Sequence, residues 1–306
     1  MPFLYLDIET TGLDPFTCEL VTLQLLTPSG KIMIIKDPKT LENVKSRLER
    51  NVVVGHNIKF DAKFLKYRYG ITLKNVYDTY IAEVAISGGL LAGKKGASLK
   101  DLVFKYCGVV LDKTEQCGFR RGVPLSQEQK QYAASDLKYL PKIMQEQQTK
   151  IKLLGLENVI DTEMKAIPAV VWLELSGINI DCQKVTEIKM KLEEQRDRAA
   201  QFLAKEFYPH EVNLNSSKQL KEALNKVGIP VKDTSIEEIS KFDGPVIEAL
   251  KDYKEAQKLL STYAEKIIDC INPVTGRVHS NFNQYGAKSG RFTSSNPNLQ
   301  QQPSKF

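Results

Sequence analysis

The chain has 306 residues, 42% hydrophobic and 26% charged, an ordinary globular composition with enough material for two domains. It contains no run of about 18 apolar residues and no basic-then-apolar leader, so no membrane span and no secretion are expected, and a cytoplasmic protein is. Five scattered cysteines without a C-x-x-C pair argue against a disulfide framework and a structural zinc site, and the net charge of +6 lies wholly in residues 1–150, with 22 Lys and Arg against 16 Asp and Glu.

Phe3-Leu4-Tyr5-Leu6-Asp7-Ile8-Glu9-Thr10 reads as a β-prone first strand that runs into two carboxylates. Side chains alternate along a strand, so Asp7 and Glu9 project from one face. Two ionised carboxylates so placed repel unless a cation neutralises them, and a hard divalent ion with oxygen ligands is the natural remedy. The bland alternative is a solvated strand end with two ordinary acids. A basic surround about such an acidic cluster would suit an enzyme acting on a polyanion.

Thr11 to Pro15 is turn chemistry, Leu20–Leu26 a second strand, and Lys31–Ile35 a third. Thr40 can cap a helix through about Glu49, and Asn51–Gly55 is a short buried strand. It empties into His56-Asn57-Ile58-Lys59-Phe60-Asp61 and a helix through about Tyr69. Strands first, then strands alternating with helices, indicate an α/β domain with a mixed sheet. A loop-rich middle, glycine- and lysine-rich over residues 87–96, is expected at the surface, with phosphate contact as a lesser possibility; it lacks P-loop spacing. Ser126 opens one long helix carrying Tyr132 and Asp136 toward Ile151, where the first domain should end.

Beyond Asp161 the composition turns to amphipathic helices over 162–175, 183–207, 217–227 and 246–271, the first, third and fourth stopped by glycine or proline. The tail after Gly276 is polar, with little to form a core. Taken singly, Asp61 can be a first-turn helix acid, Asp136 a surface charge and Tyr132 a core aromatic.

Together, Asp7 and Glu9 on a first strand, Asn57-x-x-Phe60-Asp61 after a later strand and Tyr132-x-x-x-Asp136 on a late helix resemble the three motifs of the DEDD (DnaQ-like) 3′–5′ exonucleases, which have a ribonuclease H-like fold. Tyrosine in the last motif resembles the DEDDy branch, found in polymerase proofreading domains and ribonuclease D-type enzymes. The resemblance implies a mixed five-stranded sheet with flanking helices and two divalent ions, Mg²⁺ or Mn²⁺, held by Asp7, Glu9, Asp61 and Asp136. It implies that Tyr132 orients the attacking water, since a phenol with a pKa of about 10 is a poor bulk base. It also implies that Thr10, Asn57 and Phe60 surround the terminal nucleotide. Phe60 stands where polymerase relatives often have tyrosine, so stacking survives and a hydroxyl contact does not.

The second half resembles the family A DNA polymerases of the bacterial polymerase I type. The resemblance is carried by Glu174–Asp181, by Asn213-Leu214-Asn215-Ser216-Ser217-Lys218-Gln219-Leu220, by Asn272–His279 and by Gly286–Gln300. It implies an exonuclease domain over residues 1–152 and, over 153–306, a helical thumb-like region with the start of a palm. The motifs around Arg277 and Arg291 make these the better candidates for nucleic-acid contact; Lys184, Lys189, Lys191, Arg196 and Arg198 can equally be a solvated helix face. The family's polymerase carboxylates lie beyond Phe306, so this chain is not expected to polymerise DNA alone. The expected function is metal-dependent 3′–5′ hydrolysis of DNA ends, releasing nucleoside monophosphates at the nucleoid. An RNA exonuclease of the ribonuclease D type, and a DNA-binding subunit paired with a separate palm-and-fingers chain, are the alternatives.

Overall fold

The first apolar run forms β1 (Phe3–Thr10), followed by β2 (Leu20–Leu26) and β3 (Ile32–Ile35) in a computed structural model of the protein. The structure describes residues 2–36, 38–93, 95–111, 126 and 135–302. A loop over residues 11–19 and a short turn over 27–31 each bring the chain back beside the strand before, so these strands pair antiparallel. Helix α1 (Pro38–Arg50) then crosses to β4 (Val52–Gly55), and α2 (Lys59–Tyr69) crosses to β5 (Asn75–Asp78). Crossovers through helices make β1, β4 and β5 parallel, and the sheet order is β3-β2-β1-β4-β5. Leu4, Leu6, Leu23, Leu25, Val53 and Val54 fill its core with Phe64 and Leu65 of α2. This is the expected mixed α/β sheet with flanking helices, of ribonuclease H-like type.

Four local expectations are corrected. Helix α1 starts at Pro38 instead of being capped by Thr40, because proline is pre-set for a first helical turn and lacks an N–H that would go unbonded there. The middle after Tyr69, expected to be loop-rich, contains β5, α3 (Thr79–Ile86) and α4 (Leu99–Cys107), the last with a Ser98–Asp101 capping box, and only residues 87–93 and 95–96 between them are the expected turns. The single long helix toward Ile151 is broken: residues 135–138 are helical, Tyr139 is a turn, and α5 (Leu140–Leu154) begins with Pro141, which cannot donate back into a preceding turn. The polar tail is structured. Its strands β8 (Asn281–Asn283) and β9 (Thr293–Ser295) form a hairpin, and Tyr285 joins the main core.

The first compact unit comprises Met1–Gly177, Pro273–Thr275 and His279–Gln300, and includes α6 (Glu157–Ser176). The second holds Ile178–Asn272 and Gly276–Val278. In it β6 (Ile178–Asn179) pairs with β7 (Arg277–Val278), and α7 (Cys182–Glu206) packs along α10 (Pro245–Leu259). Leu203, Ile247 and Leu250 form its core with Leu220 and Leu224 of α8 (Ser217–Lys226) and Ile239 of α9 (Ile236–Ile239). A π-helical turn, Leu260–Ala264, leads into α11 (Glu265–Asp269), so the expected helix over 246–271 is three successive pieces. No helix among the described residues is long and apolar enough to cross a membrane.

Candidate active site

Asp7 and Glu9 are half-buried on β1, opposite Gln24 and Thr22 of β2. Directly opposed residues share a sheet face, so the two acids stand on a polar floor inside an otherwise apolar sheet. Gln24 is fully buried and its Nε2 donates to Thr22 Oγ1 at 2.6 Å; its Oε1 has no hydrogen-bond partner among the described residues. The ladder register shifts between Glu9 and Thr10, a bulge that re-aims the strand end. Thr10 Oγ1 donates to the Gly12 carbonyl at 2.7 Å, which ties down the turn that follows.

Asp61 lies in the first turn of α2, is 4% exposed, and its Oδ1 has no hydrogen-bond partner among the described residues. Burial first, and then the negative charge of Asp7, push its carboxyl well above the usual carboxylate range, against the pull of the backbone amides of Asp61 and Ile8. Asp7 and Asp61 are therefore electrostatic neighbours, from strand and helix respectively. A buried, unbonded carboxylate oxygen beside a second carboxylate is the donor chemistry that a hard divalent cation accepts, so this pair fits such an ion. Among the described residues no three His, Cys, Asp or Glu side chains gather as a ready cluster, and the fit rests on that pair. Asp136 is buried on the helical stretch 135–138. Tyr132 lies outside the described residues.

The turn between β4 and α2 is held from β5. Asn57 adopts φ 56°, a left-handed conformation that asparagine tolerates better than most residues. Asp78, 1% exposed at the end of β5, accepts the N–H groups of Asn57 at 2.9 Å and Ile58 at 3.0 Å, and caps α3 through Tyr80 N–H at 2.8 Å. Burial raises its pKa to about 6, against those amides. Sequence reasoning missed Asp78, although an aspartate directly before a helix start is a capping signal.

Phe60 is half-buried with its ring centroid 5.0 Å from that of Phe64, so part of its surface packs on the core. Asn57 is exposed and borders a cavity of about 640 Å³. His56, Lys59 and Tyr80 line it with Asn57 on one side, and Gln284 and Tyr285 of the tail on another. Arg291 is exposed in the loop between β8 and β9, within the first unit. Arg277 is half-buried in β7 of the second unit, where its carbonyl accepts Asn272 N–H at 2.8 Å.

Two family models match this sequence: one described as 3′–5′ exonuclease over residues 1–152, the other as DNA polymerase family A over residues 182–306. DNA polymerase I of Aquifex aeolicus is 29% identical over 98% of this chain and 54% of that protein. DNA polymerase I of Pseudomonas aeruginosa is 26% identical over 97% of this chain and 36% of that protein. The chain thus spans about half, or less, of the length of these relatives. A solved POL domain of Pol1 from M. smegmatis, in complex with DNA primer-template and dNTP, aligns with a TM-score of 0.78 over 99% of this chain and 53% of that one. At 20% identity it shows likeness of fold. A nuclease in its apo form aligns over 57% of this chain and 86% of that one, with a TM-score of 0.53 and 25% identity.

Proposed function

The chain pairs a 3′–5′ exonuclease domain with a DNA polymerase family A region, and from that premise we propose that it hydrolyses DNA 3′ ends by a two-metal reaction, as a proofreading nuclease. The observation that carries this reading is the pairing of Asp7 with the buried Asp61, one of whose oxygens is left without a hydrogen bond among the described residues. Asp7, Glu9, Asp61 and Asp136 would hold the ions. Mg²⁺ or Mn²⁺ bound there supplies Lewis-acid chemistry and neutralises charge during an in-line displacement at the terminal phosphodiester.

Tyr132 would orient the attacking water. Thr10, Asn57 and Phe60 would face the terminal nucleotide, whose release as a monophosphate leaves the strand one unit shorter. Arg277 and Arg291 would contact phosphates, which sets grip and register without reading sequence. The exonuclease domain proper would be residues 1–152, with a thumb-like region and the start of a palm over 153–306. Its proposed partners are DNA with a single-stranded or frayed 3′ end, at the nucleoid, and a separate chain carrying palm and fingers.

The test is a primer–template labelled at the primer 5′ end and mismatched at its 3′ end, incubated with Mg²⁺ and then with EDTA. Stepwise shortening that needs both the metal and Asp7 is the expected result. Shortening that persists in EDTA or in Asp7→Ala, or a preference for a matched RNA oligonucleotide, would overturn the reading.

A further inference from the structure

Glu174, near the end of α6, is 3% exposed and carries a charge that the proposed chemistry does not use. Two lysines of α2 converge on it: Lys59 Nζ lies 2.7 Å from Oε1, and Lys63 Nζ forms an ion pair with Oε2 at 2.8 Å. A third group arrives from β8. The N–H of Phe282 donates to Glu174 Oε1 at 2.7 Å, while the carbonyl of Phe282 accepts from Lys59 Nζ at 2.9 Å. Lys59, Glu174 and Phe282 therefore close a triangle of three hydrogen bonds. Burial drives the Lys59 ammonium down against the pull of Glu174. Burial also pushes Glu174 up, but Lys63 and Lys59 outweigh it and hold the carboxyl below its usual range. A buried ion pair adds little net stability once its charges are desolvated, whereas its hydrogen bonds fix how the three elements they join are placed.

Two corners of the triangle lead to one cavity. Lys59 lines it and sits between Asn57 and Asp61 in the chain; Phe282 precedes Asn283, Gln284 and Tyr285, which line it from the hairpin. The hairpin is also braced from behind. Gln284 Nε2 donates to Glu163 Oε2 at 2.8 Å and to the Glu163 carbonyl at 3.0 Å. Lys288 approaches Gly89 so closely that a Cβ there would lie 2.9 Å from the Lys288 carbonyl oxygen.

We propose that Glu174 is a positioning residue that clamps the β8–β9 hairpin against the Asn57–Asp61 turn and so sets the width of the cleft that receives a single-stranded 3′ end. This rests on the exonuclease reading for the identity of the ligand. Glu174 acts through Lys59 and Phe282, without touching substrate. Removing its charge loosens one wall of the cleft, so binding weakens while the carboxylates keep their chemistry.

The full chain carrying Glu174→Gln tests this with a single-stranded oligonucleotide. Expected are a KM about ten-fold higher with kcat within about three-fold, the split that marks lost binding rather than lost transition-state contacts. The same oligonucleotide, followed by fluorescence anisotropy in EDTA, should show a comparable rise in Kd. Trypsin should cut after the exposed Lys288 and Arg291 markedly faster. Lys165→Met, which removes an exposed ion pair with Asp161 on the same helix, should change none of these. If Glu174→Gln fails to fold, Lys63→Met/Glu174→Gln leaves fewer buried charges unpaired, keeps the cavity-lining Lys59 and carries the same three measurements. Unchanged Kd and KM, or a fall in kcat alone, overturn the inference whatever trypsin shows. A wild type that cuts no DNA yet binds the oligonucleotide, with binding that Glu174→Gln weakens, overturns the exonuclease reading and supports the clamp.

Discussion

The backbone N–H of Asn57 donates to Asp78 Oδ1 at 2.9 Å, so the left-handed turn that presents Asn57 is held by a carboxylate from a neighbouring strand. The folded protein holds the Asp78 proton up to about pH 6, whereas the ordinary value is 3.8. A raised carboxyl pKa contributes stability that is fully present below the ordinary value and is lost as pH rises through the folded one. Between about pH 4 and pH 6 the wild type should therefore lose about 2 kcal/mol relative to Asp78→Asn, which has no proton to release; the whole shift corresponds to about 3 kcal/mol and is lost in full only well above pH 6. Urea denaturation of both proteins across that range measures the difference. A difference that stays level, or grows with pH, would refute the assignment.

Asp7→Ala removes a charge that adds to burial in pushing the Asp61 carboxyl up, and with it a proposed metal ligand. Without metal, the melting temperature should hold or rise, because a repulsion has gone. With Mg²⁺ the two proteins should diverge. An ion at ten times its dissociation constant adds about 1.4 kcal/mol to the wild type, and the variant should gain little. DNA shortening should be abolished. A metal-free melting temperature several degrees lower, or equal stabilisation by Mg²⁺, would count against the paired-carboxylate site.

The positions of Asp7, Glu9 and Asp61 were legible because each sits at the end or start of an element whose apolar pattern is long enough to read. The same patterns predicted the mixed sheet. Asp78 was not legible: its strand has four residues and its helix eight, too short for either period to stand out. Glu174 belongs to a stretch that resembles a thumb-like region, but its partners Lys59 and Phe282 lie 115 and 108 residues away, and one sequence carries no sign of such pairings. Tyr285 is one aromatic in a polar run, and only packing reveals that it belongs to the core. Pro141 is a legible helix break, because proline cannot donate back into a preceding turn.

Gly286 belongs to the cavity-lining wall of the hairpin, and a Cβ there would lie 1.8 Å from Thr293 Oγ1 and 2.6 Å from Thr293 Cβ. No rotamer change relieves the second overlap, so Gly286→Ala must push β8 and β9 apart. The expected loss is about 2 kcal/mol, as for other forced overpacking. Adding Thr293→Gly should restore most of it, which a general intolerance of alanine at this position would not allow. Urea midpoints of the single and double variants decide between the two.

Arg291 is exposed in the β8–β9 loop, in the same unit as Asp7, Asp61 and Asn57. An exposed guanidinium in such a loop can grip a phosphate, and the energy of that grip comes from the counterion it displaces. Arg291→Ala should therefore weaken binding of single-stranded oligonucleotides by a similar factor whatever their sequence. The plot of log K against log salt should become shallower by about 0.7, the value for one lost phosphate contact on a single strand. Anisotropy titrations in EDTA from low to moderate salt measure that slope without cleavage. A loss of affinity that depends on the base at the 3′ end would mean that Arg291 reads a base edge instead, and an unchanged slope would remove it from the DNA path.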